Sequence, residues 1–231
     1  MSYVFPPAPV ASVPVVGSDS LFPVHRIYCV GRNYAEHAKE MGFSGREAPF
    51  FFMKPADAVL VVKDGQTGEM PYPTLTKDLH HEIELVVALG KGGKNIKAAD
   101  AVNHIFGYAV GIDMTRRDLQ AEAKKQGRPW DIAKGFDFSA PITPIVPAAQ
   151  AGDINNAAIW LDVNGAKRQS SQVTQLIWSI AETIEALSQA WELQAGDLIF
   201  SGTPEGVAAV SQGDVLEGGV AGLPALKVKL V

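Results

Sequence analysis

The apolar residues of this chain come in runs too short for most helices. Residues 27–30, 50–53, 59–62, 82–89, Ile105–Ile112, Ala158–Val163, 197–200 and 226–231 are rich in β-branched and aromatic side chains, and glycine, proline or charged residues punctuate them. Such runs predict strands. The 22 glycines and 15 prolines among 231 residues supply the punctuation. Helical spacing is predicted in three places. One is 34–41, closed by Gly42. The second starts after Thr115, with Thr115 and Asp118 as a capping box, and ends near Gly127. The third is 174–191, where Leu176, Ile177, Ile180, Ile184, Leu187 and Trp191 would form one buried face. Because helices do not alternate with strands, the expected fold class is α+β. It would be a mixed, largely antiparallel, β-rich domain with a few peripheral helices rather than a doubly wound parallel sheet.

Composition narrows the function classes. A hydrophobic content of 47% supplies a sizeable core, and a net charge of −5 lacks the basic footprint of a nucleic-acid binder. No apolar run approaches the roughly 18 residues of a membrane span. The start of the chain, broken by Pro6, Pro7, Pro9 and Pro14 and without early positive charge, does not read as a signal peptide, so the cytoplasm is the expected location. A single cysteine, Cys29, rules out an intrachain disulfide, and its apolar neighbours predict a buried, inert thiol. Residues 1–22, rich in Pro, Val and Ser, are expected to form an extended arm over the domain or a partner subunit. With no linker after them, one catalytic domain, 1–231, is expected.

The segment His80-His81-Glu82-Ile83-Glu84-Leu85-Val86-Val87 is the most informative. As a strand it would turn Ile83, Leu85 and Val87 to the core and Glu82 and Glu84 together to the other face, with His80 in line. The alternative is a solvated polar face. Asp113 closes the run 106–112, either as a cap or as a third oxygen donor beside the two glutamates; three carboxylates suit Mg²⁺ or Mn²⁺ better than zinc. His37 and Glu40 are three apart, helical neighbours that could form a general base or simply sit at the surface. Lys54 closes an apolar strand, Lys134 lies in Ala133-Lys134-Gly135-Phe136, and Arg117 and Gln120 share a helix face. Ser201-Gly202-Thr203-Pro204 leaves a buried strand as a turn that can offer a hydroxyl and backbone N–H groups to an anion, without the ending of a Walker loop.

Taken in order, VGRNYAEHAKEM (30–41), FFFMKP (50–55), KDLHHEIELVV (77–87), GYAVGIDMTRRDLQ (107–120), AKGFDFSAP (133–141) and LIFSGTPEGV (198–207) make the chain resemble the fumarylacetoacetate hydrolase family from about residue 24 to 231. The proline-rich start Tyr3-Val4-Phe5-Pro6-Pro7 and the segment 24–41 are similar to the bacterial branch that acts on fumarylpyruvate. The resemblance implies a β-roll core, a homodimer or larger assembly, and a small diketo-acid substrate. It implies Glu82, Glu84 and Asp113 as ligands of Mg²⁺ or Mn²⁺, and His37 with Glu40 as the water-activating pair. Lys134 would stabilise developing negative charge. Arg117, Gln120, Lys54 and Thr203 would contact substrate, and Arg32 or Arg117 would hold a distal carboxylate. His80 would support the acids without being a ligand. The implied reaction is hydrolysis of the C–C bond of a 2,4-diketo acid, fumarylpyruvate giving fumarate and pyruvate in gentisate-type aromatic degradation. The same scaffold also admits an oxaloacetate decarboxylase, a hydroxyhepta-diene-dioate isomerase, or a non-catalytic binder of metal or diketo acid.

Overall fold

A computed structural model describes residues 2–36 and 46–231. The strand pattern builds the expected mixed, β-rich architecture. An eight-stranded sheet runs Phe50–Lys54, Ile27–Gly31, Leu198–Phe200, Ile83–Leu89, Ile105–Ile112, Ala140–Ile142, Val59–Val61, with Val146–Pro147 also pairing Ile105–Ile112. Two of its pairs are parallel, Ile27–Gly31 with Leu198–Phe200 and Ala140–Ile142 with Val59–Val61; the remaining pairs are antiparallel. A five-stranded sheet runs Ala166–Gln172, Ala158–Val163, Val215–Val220, Leu226–Leu230, Gly68–Met70. A small sheet joins Thr115–Arg116, Leu79–His80 and Ala209–Val210.

The central strand Ile83–Leu89 is buried on both faces. Ile83, Leu85, Val87 and Leu89 enter the main core with Ile159, Leu161, Leu216 and Val228 of the five-stranded sheet. Val86 and Ala88 enter a second core with Cys29, Ala109, Ile142 and Phe200. This rules against the alternative of a solvated polar face. The glutamate face continues into apolar packing, and strand Ile83–Leu89 itself begins one residue after Glu82. Cys29 is fully buried, and burial pushes its thiol pKa well above the ordinary range, as expected of an inert cysteine.

Near the start of the chain, Ser12–Pro14 pairs antiparallel with Leu21–Pro23, and Val13, Val15 and Phe22 are buried in the second core. Tyr3, Val4 and Phe5 are exposed. Among the described residues no helix is long and apolar enough to cross a membrane.

The helices depart from expectation at their starts. Most of 34–41 and its stop Gly42 lie outside the described residues; Tyr34 bridges Leu176. Helix Arg117–Gln126 ends where predicted, on Gly127 at φ 63°, but no capping box starts it. Thr115 instead donates its hydroxyl to the Asp113 carbonyl (3.2 Å), and Asp118 accepts from Thr76 Oγ1 (2.6 Å) and Lys77 N (3.1 Å). The predicted 174–191 helix is shorter, Ile180–Ala190, because Ser179 and Glu182 form a capping box that starts it there. Ile177 is instead tied to Asn33, its N–H donating to the Asn33 carbonyl at 2.8 Å. The strand Ala166–Gln172 was not expected. Its hairpin with Ala158–Val163 turns on Asn164-Gly165, at φ 53° and 77°, the left-handed pair that an Asn-Gly turn favours.

Gly111 has a specific packing reason. It pairs with Glu84, and a Cβ there would lie 2.5 Å from Phe200 Cε1 and 2.7 Å from Val86 Cγ2, inside the second core. Gly111→Ala should therefore lower stability by about 1–3 kcal/mol through overpacking. Urea unfolding measures this, and a variant as stable as the parent would show that the sheet yields at this corner.

Candidate metal and oxo-acid site

The strand register brings the acids together. Ile83 pairs with Ile112 and Glu84 with Gly111, and Asp113 N–H donates to the Glu82 carbonyl at 2.8 Å. Glu82 and Asp113 thus face each other across the ladder, with Glu84 two residues along the same face. Carboxylate oxygens of Glu82, Glu84 and Asp113, all buried, lie within 4.8 Å of one another. Their close approach is compensated by cations from other elements. Lys134, at the end of the short helix Asp131–Lys134, donates to Glu82 Oε2 (2.8 Å), Asp113 Oδ2 (2.7 Å) and Thr115 Oγ1 (2.6 Å). Arg117 donates to Glu82 Oε1 and, at 2.6 Å, to Gln120 Oε1. Lys54 Nζ sits 2.9 Å from Asp113 Oδ1 as an ion pair, outside hydrogen-bonding geometry, while it donates to the carbonyls of Met114 (3.3 Å) and Lys134. Glu84 receives one backbone donor, Gly202 N–H at 2.8 Å. The turn expected to offer N–H groups to an anion offers this one to an internal carboxylate.

The electrostatics differ sharply between the two glutamates. Burial pushes the Glu82 carboxyl up, but Lys134 and Arg117 outweigh it and hold it well below the ordinary carboxylate range. Burial raises Glu84, the charges on Asp113 and Glu82 raise it further, and its pKa lies well above the ordinary value. Burial lowers the Lys134 ammonium pKa, but Asp113 and Glu82 more than reverse that. A hard cation fits this donor set. Asp113 Oδ1 has no hydrogen-bond donor among the described residues, and Glu84 offers a carboxylate whose ionisation the protein alone disfavours.

One cavity is lined by Arg32, Phe50, Phe52, Glu82, Glu84, Arg117, Gln120, Lys124, Trp130, Lys134 and Thr203, among others. It therefore gathers Arg32, Arg117, Gln120, Lys134 and Thr203 beside two of the acids. Asp113 and Lys54 lie behind the lining, both fully buried. His37 and Glu40 lie outside the described residues. His80 accepts from Arg117 Nε (3.4 Å) and pairs through Nε2 with Asp78 Oδ1 (2.8 Å), so it touches the acids only through Arg117.

Several cavity residues were missed. Lys124 is seven residues after Arg117 and four after Gln120, a helix-face spacing that was legible. Burial lowers its ammonium pKa, Arg117 lowers it further, and its Nζ stands 5.0 Å from the Trp130 ring centre. Phe50 and Phe52 read only as strand residues in the sequence, and Trp130 stood out by no pattern. Buried Gln169, on the hairpin strand, carried no signal at all.

The fold and this lysine-flanked acid cluster define a metal-site type of β-rich enzyme scaffold. The family model described as fumarylacetoacetate (FAA) hydrolase C-terminal matches residues 26–231, and the chain belongs to that family. A crystal structure of fumarylpyruvate hydrolase from Pseudomonas aeruginosa, in complex with Mn²⁺ and pyruvate, is 55% identical with a TM-score of 0.98, covering 100% of this chain and 99% of that one. Curated relatives include the oxaloacetate tautomerase FAHD1, mitochondrial, of Bos taurus, 39% identical over 88% of this chain and 90% of the relative. Another is the oxaloacetate decarboxylase, mitochondrial, of Dictyostelium discoideum, 39% identical over 86% of this chain and 89% of its own.

Linkage gives Glu84 a measurable signature. Its folded pKa is raised, so the stability it contributes when protonated is complete below its ordinary value of 4.5 and is lost as pH rises through the folded value. Glu82 is depressed, so its contribution is present above 4.5 and is lost as pH falls. At pH 7, metal-free Glu84→Gln should melt above the parent protein yet lose the rise in melting temperature that Mn²⁺ gives the parent. Differential scanning fluorimetry with and without Mn²⁺ checks both halves. A parent protein indifferent to Mn²⁺ would remove these acids as a cation site.

Proposed function

We propose that this chain is a metal-dependent hydrolase of the C–C bond of a 2,4-diketo acid, with fumarylpyruvate as substrate and fumarate and pyruvate as products. The observation that carries this reading is the buried triad Glu82, Glu84 and Asp113, of which Glu82 and Glu84 line a cavity that also holds cations and aromatic rings. It is supported by the 55% identity to a fumarylpyruvate hydrolase holding Mn²⁺ and pyruvate. The three acids would hold Mg²⁺ or Mn²⁺, which when bound supplies Lewis acidity to the oxo-acid end of the substrate. His37, held by Glu40, would take a proton from water, whose oxygen adds to the acyl carbonyl. The C–C bond then breaks, the electron pair stays with the pyruvyl fragment, and that carbon takes up a proton. Lys134 spends its three N–H bonds on Glu82, Asp113 and Thr115, so it would act on developing negative charge through its field.

Arg32 and Lys124, both in the cavity lining, would meet a carboxylate at the far end of the substrate, while Arg117 donates to Glu82 and Gln120. Phe50, Phe52 and Trp130 would flank the planar unsaturated chain between the two ends. A second reading, oxaloacetate decarboxylation or tautomerisation, is favoured by the names of the curated relatives. Oxaloacetate lacks the extended acyl chain that Phe50, Phe52 and Trp130 would flank.

A panel of fumarylpyruvate, acetylpyruvate and oxaloacetate with Mn²⁺, read by pyruvate release, by fumarate formation and, for oxaloacetate, also by the ultraviolet absorbance of its enol, tests the reading. Fumarylpyruvate should be turned over fastest with both products in equal amounts; turnover of oxaloacetate alone would establish the second reading. Asp113→Ala should abolish activity and metal binding together. His37→Ala should keep metal binding and lose about 10²–10⁴-fold in kcat. Lys124→Ala should raise KM for fumarylpyruvate about tenfold, the worth of one charge-assisted contact, while leaving acetylpyruvate, which has no distal carboxylate, unaffected.

A further inference from the structure

Gln169 is the one fully buried residue of the otherwise polar, exposed strand Ala166–Gln172, and every hydrogen-bonding site of its amide is used. Its Oε1 accepts from Ile83 N–H (3.1 Å) and lies 2.9 Å from His81 Nδ1. Its Nε2 donates to the Pro204 carbonyl (2.8 Å) and to Thr203 Oγ1 (2.8 Å). Backbone groups at both ends decide which way the amide faces. Ile83 N–H can only donate and the Pro204 carbonyl can only accept, so a flipped amide would oppose donor to donor and acceptor to acceptor. The orientation has two consequences. His81 must be the donor in its bond to Oε1, hence the neutral Nδ1–H form. Thr203 must accept from Gln169, so its own proton is turned away from the amide, and no described residue accepts it. Thr203 lines the cavity beside Glu84 and Arg117.

We propose that Gln169 is a positioning residue that holds the Thr203 hydroxyl with its proton directed into the cavity, as a donor to a carboxylate or carbonyl oxygen of the bound oxo acid. The packing enforces the arrangement. The turn after Thr203 lies flat on the Gln169 strand: Gly206 has φ 90°, and a Cβ there would stand 2.0 Å from the Arg168 carbonyl oxygen. Gln169 also ties the strand that carries Glu84 to the turn that carries Thr203, so donor and acid keep a constant separation. This inference rests on the reading that the cavity takes an oxo acid beside a metal.

The test uses the full chain, first metal-free and then loaded with Mn²⁺, with oxalate as a planar two-oxygen probe titrated calorimetrically. Thr203→Val should weaken oxalate about tenfold, the loss of one hydrogen bond to a charged group. Gln169→Met should weaken it by a similar factor without changing Mn²⁺ affinity, and the double variant should bind no more weakly than Thr203→Val alone. Thr203→Ser, which keeps the hydroxyl, should bind like the parent. Should Gln169→Met fail to fold, Gln169→Glu serves, since it keeps the shape and both acceptor contacts but cannot donate to Thr203. Oxalate binding unchanged in the folded Gln169 variant, or losses that multiply in the double variant, overturns the proposal. Failure of the parent to bind Mn²⁺ would sink the metal reading instead. The amide orientation is then still read in metal-free protein from ¹⁵N–¹H correlations of His81: Nδ1–H supports it and Nε2–H overturns it.

Discussion

Three carboxylates and two ammonium groups share one buried corner of this protein, and the surrounding structure is organised by the need to keep that corner neutral enough to fold. Each charge removed from water costs several kcal/mol unless partners repay it. The acids come from two neighbouring strands, but their compensation comes from elsewhere. Lys54 ends the edge strand, Lys134 ends a helix of four residues, and Arg117 opens a longer one. The distribution of compensation is uneven. Glu82 receives two cations and stays ionised with ease, whereas Glu84 receives a single backbone N–H and is pressed toward its neutral form. That imbalance stores a cost in the metal-free protein that a divalent ion can relieve, the usual way a binding site trades stability for affinity.

The same corner explains the packing around it. The face that carries Glu84 continues as Val86 and Ala88, and small residues across the ladder, Gly111 opposite Glu84 and Ala109 opposite Val86, admit Phe200 and seal the acids from the far side. On the open side, helix Arg117–Gln126 contributes Arg117, Gln120 and Lys124 from one face, and Phe50, Phe52 and Trp130 complete the wall. A cavity with anions deep, cations at its sides and aromatic rings between suits a small, planar, doubly anionic molecule that brings oxygen atoms to a metal. Membership of a family with hydrolase, decarboxylase and tautomerase relatives agrees with this chemistry and leaves the choice among them to the wall rather than to the acids.

Much of this was legible before any coordinates. Strand positions follow from apolar runs and their punctuation, and the pairing of Glu82 with Glu84 on one face follows from a period of two. The capping residues were harder. Thr115 and Asp118 have the right spacing for a box, yet Lys134 donates to Thr115 and Thr76 to Asp118, and those tertiary bonds prevail. Ser179 and Glu182, the first of them five residues past the predicted start at 174, form the real one. The Asn164-Gly165 turn could have announced the second hairpin, since left-handed dihedrals at two successive positions favour that pair.

Local chemistry in the chain was thus sufficient for fold class and for Glu82 and Glu84 sharing one face, because alternation, turn preference and helix spacing act over a few residues, whereas the roles of the acids and of the basic residues were implied only by the family resemblance. It could not say that Asp113 would stand opposite Glu82, that Lys54 would lie behind the cavity rather than in its wall, or that Gln169 would reach Thr203. Those facts depend on strand register and on contacts between residues 34 to 88 positions apart, such as the bond from His81 to Gln169. They are decided only when both sheets close around a shared core, since packing and the pairing of buried polar groups are properties of the whole fold.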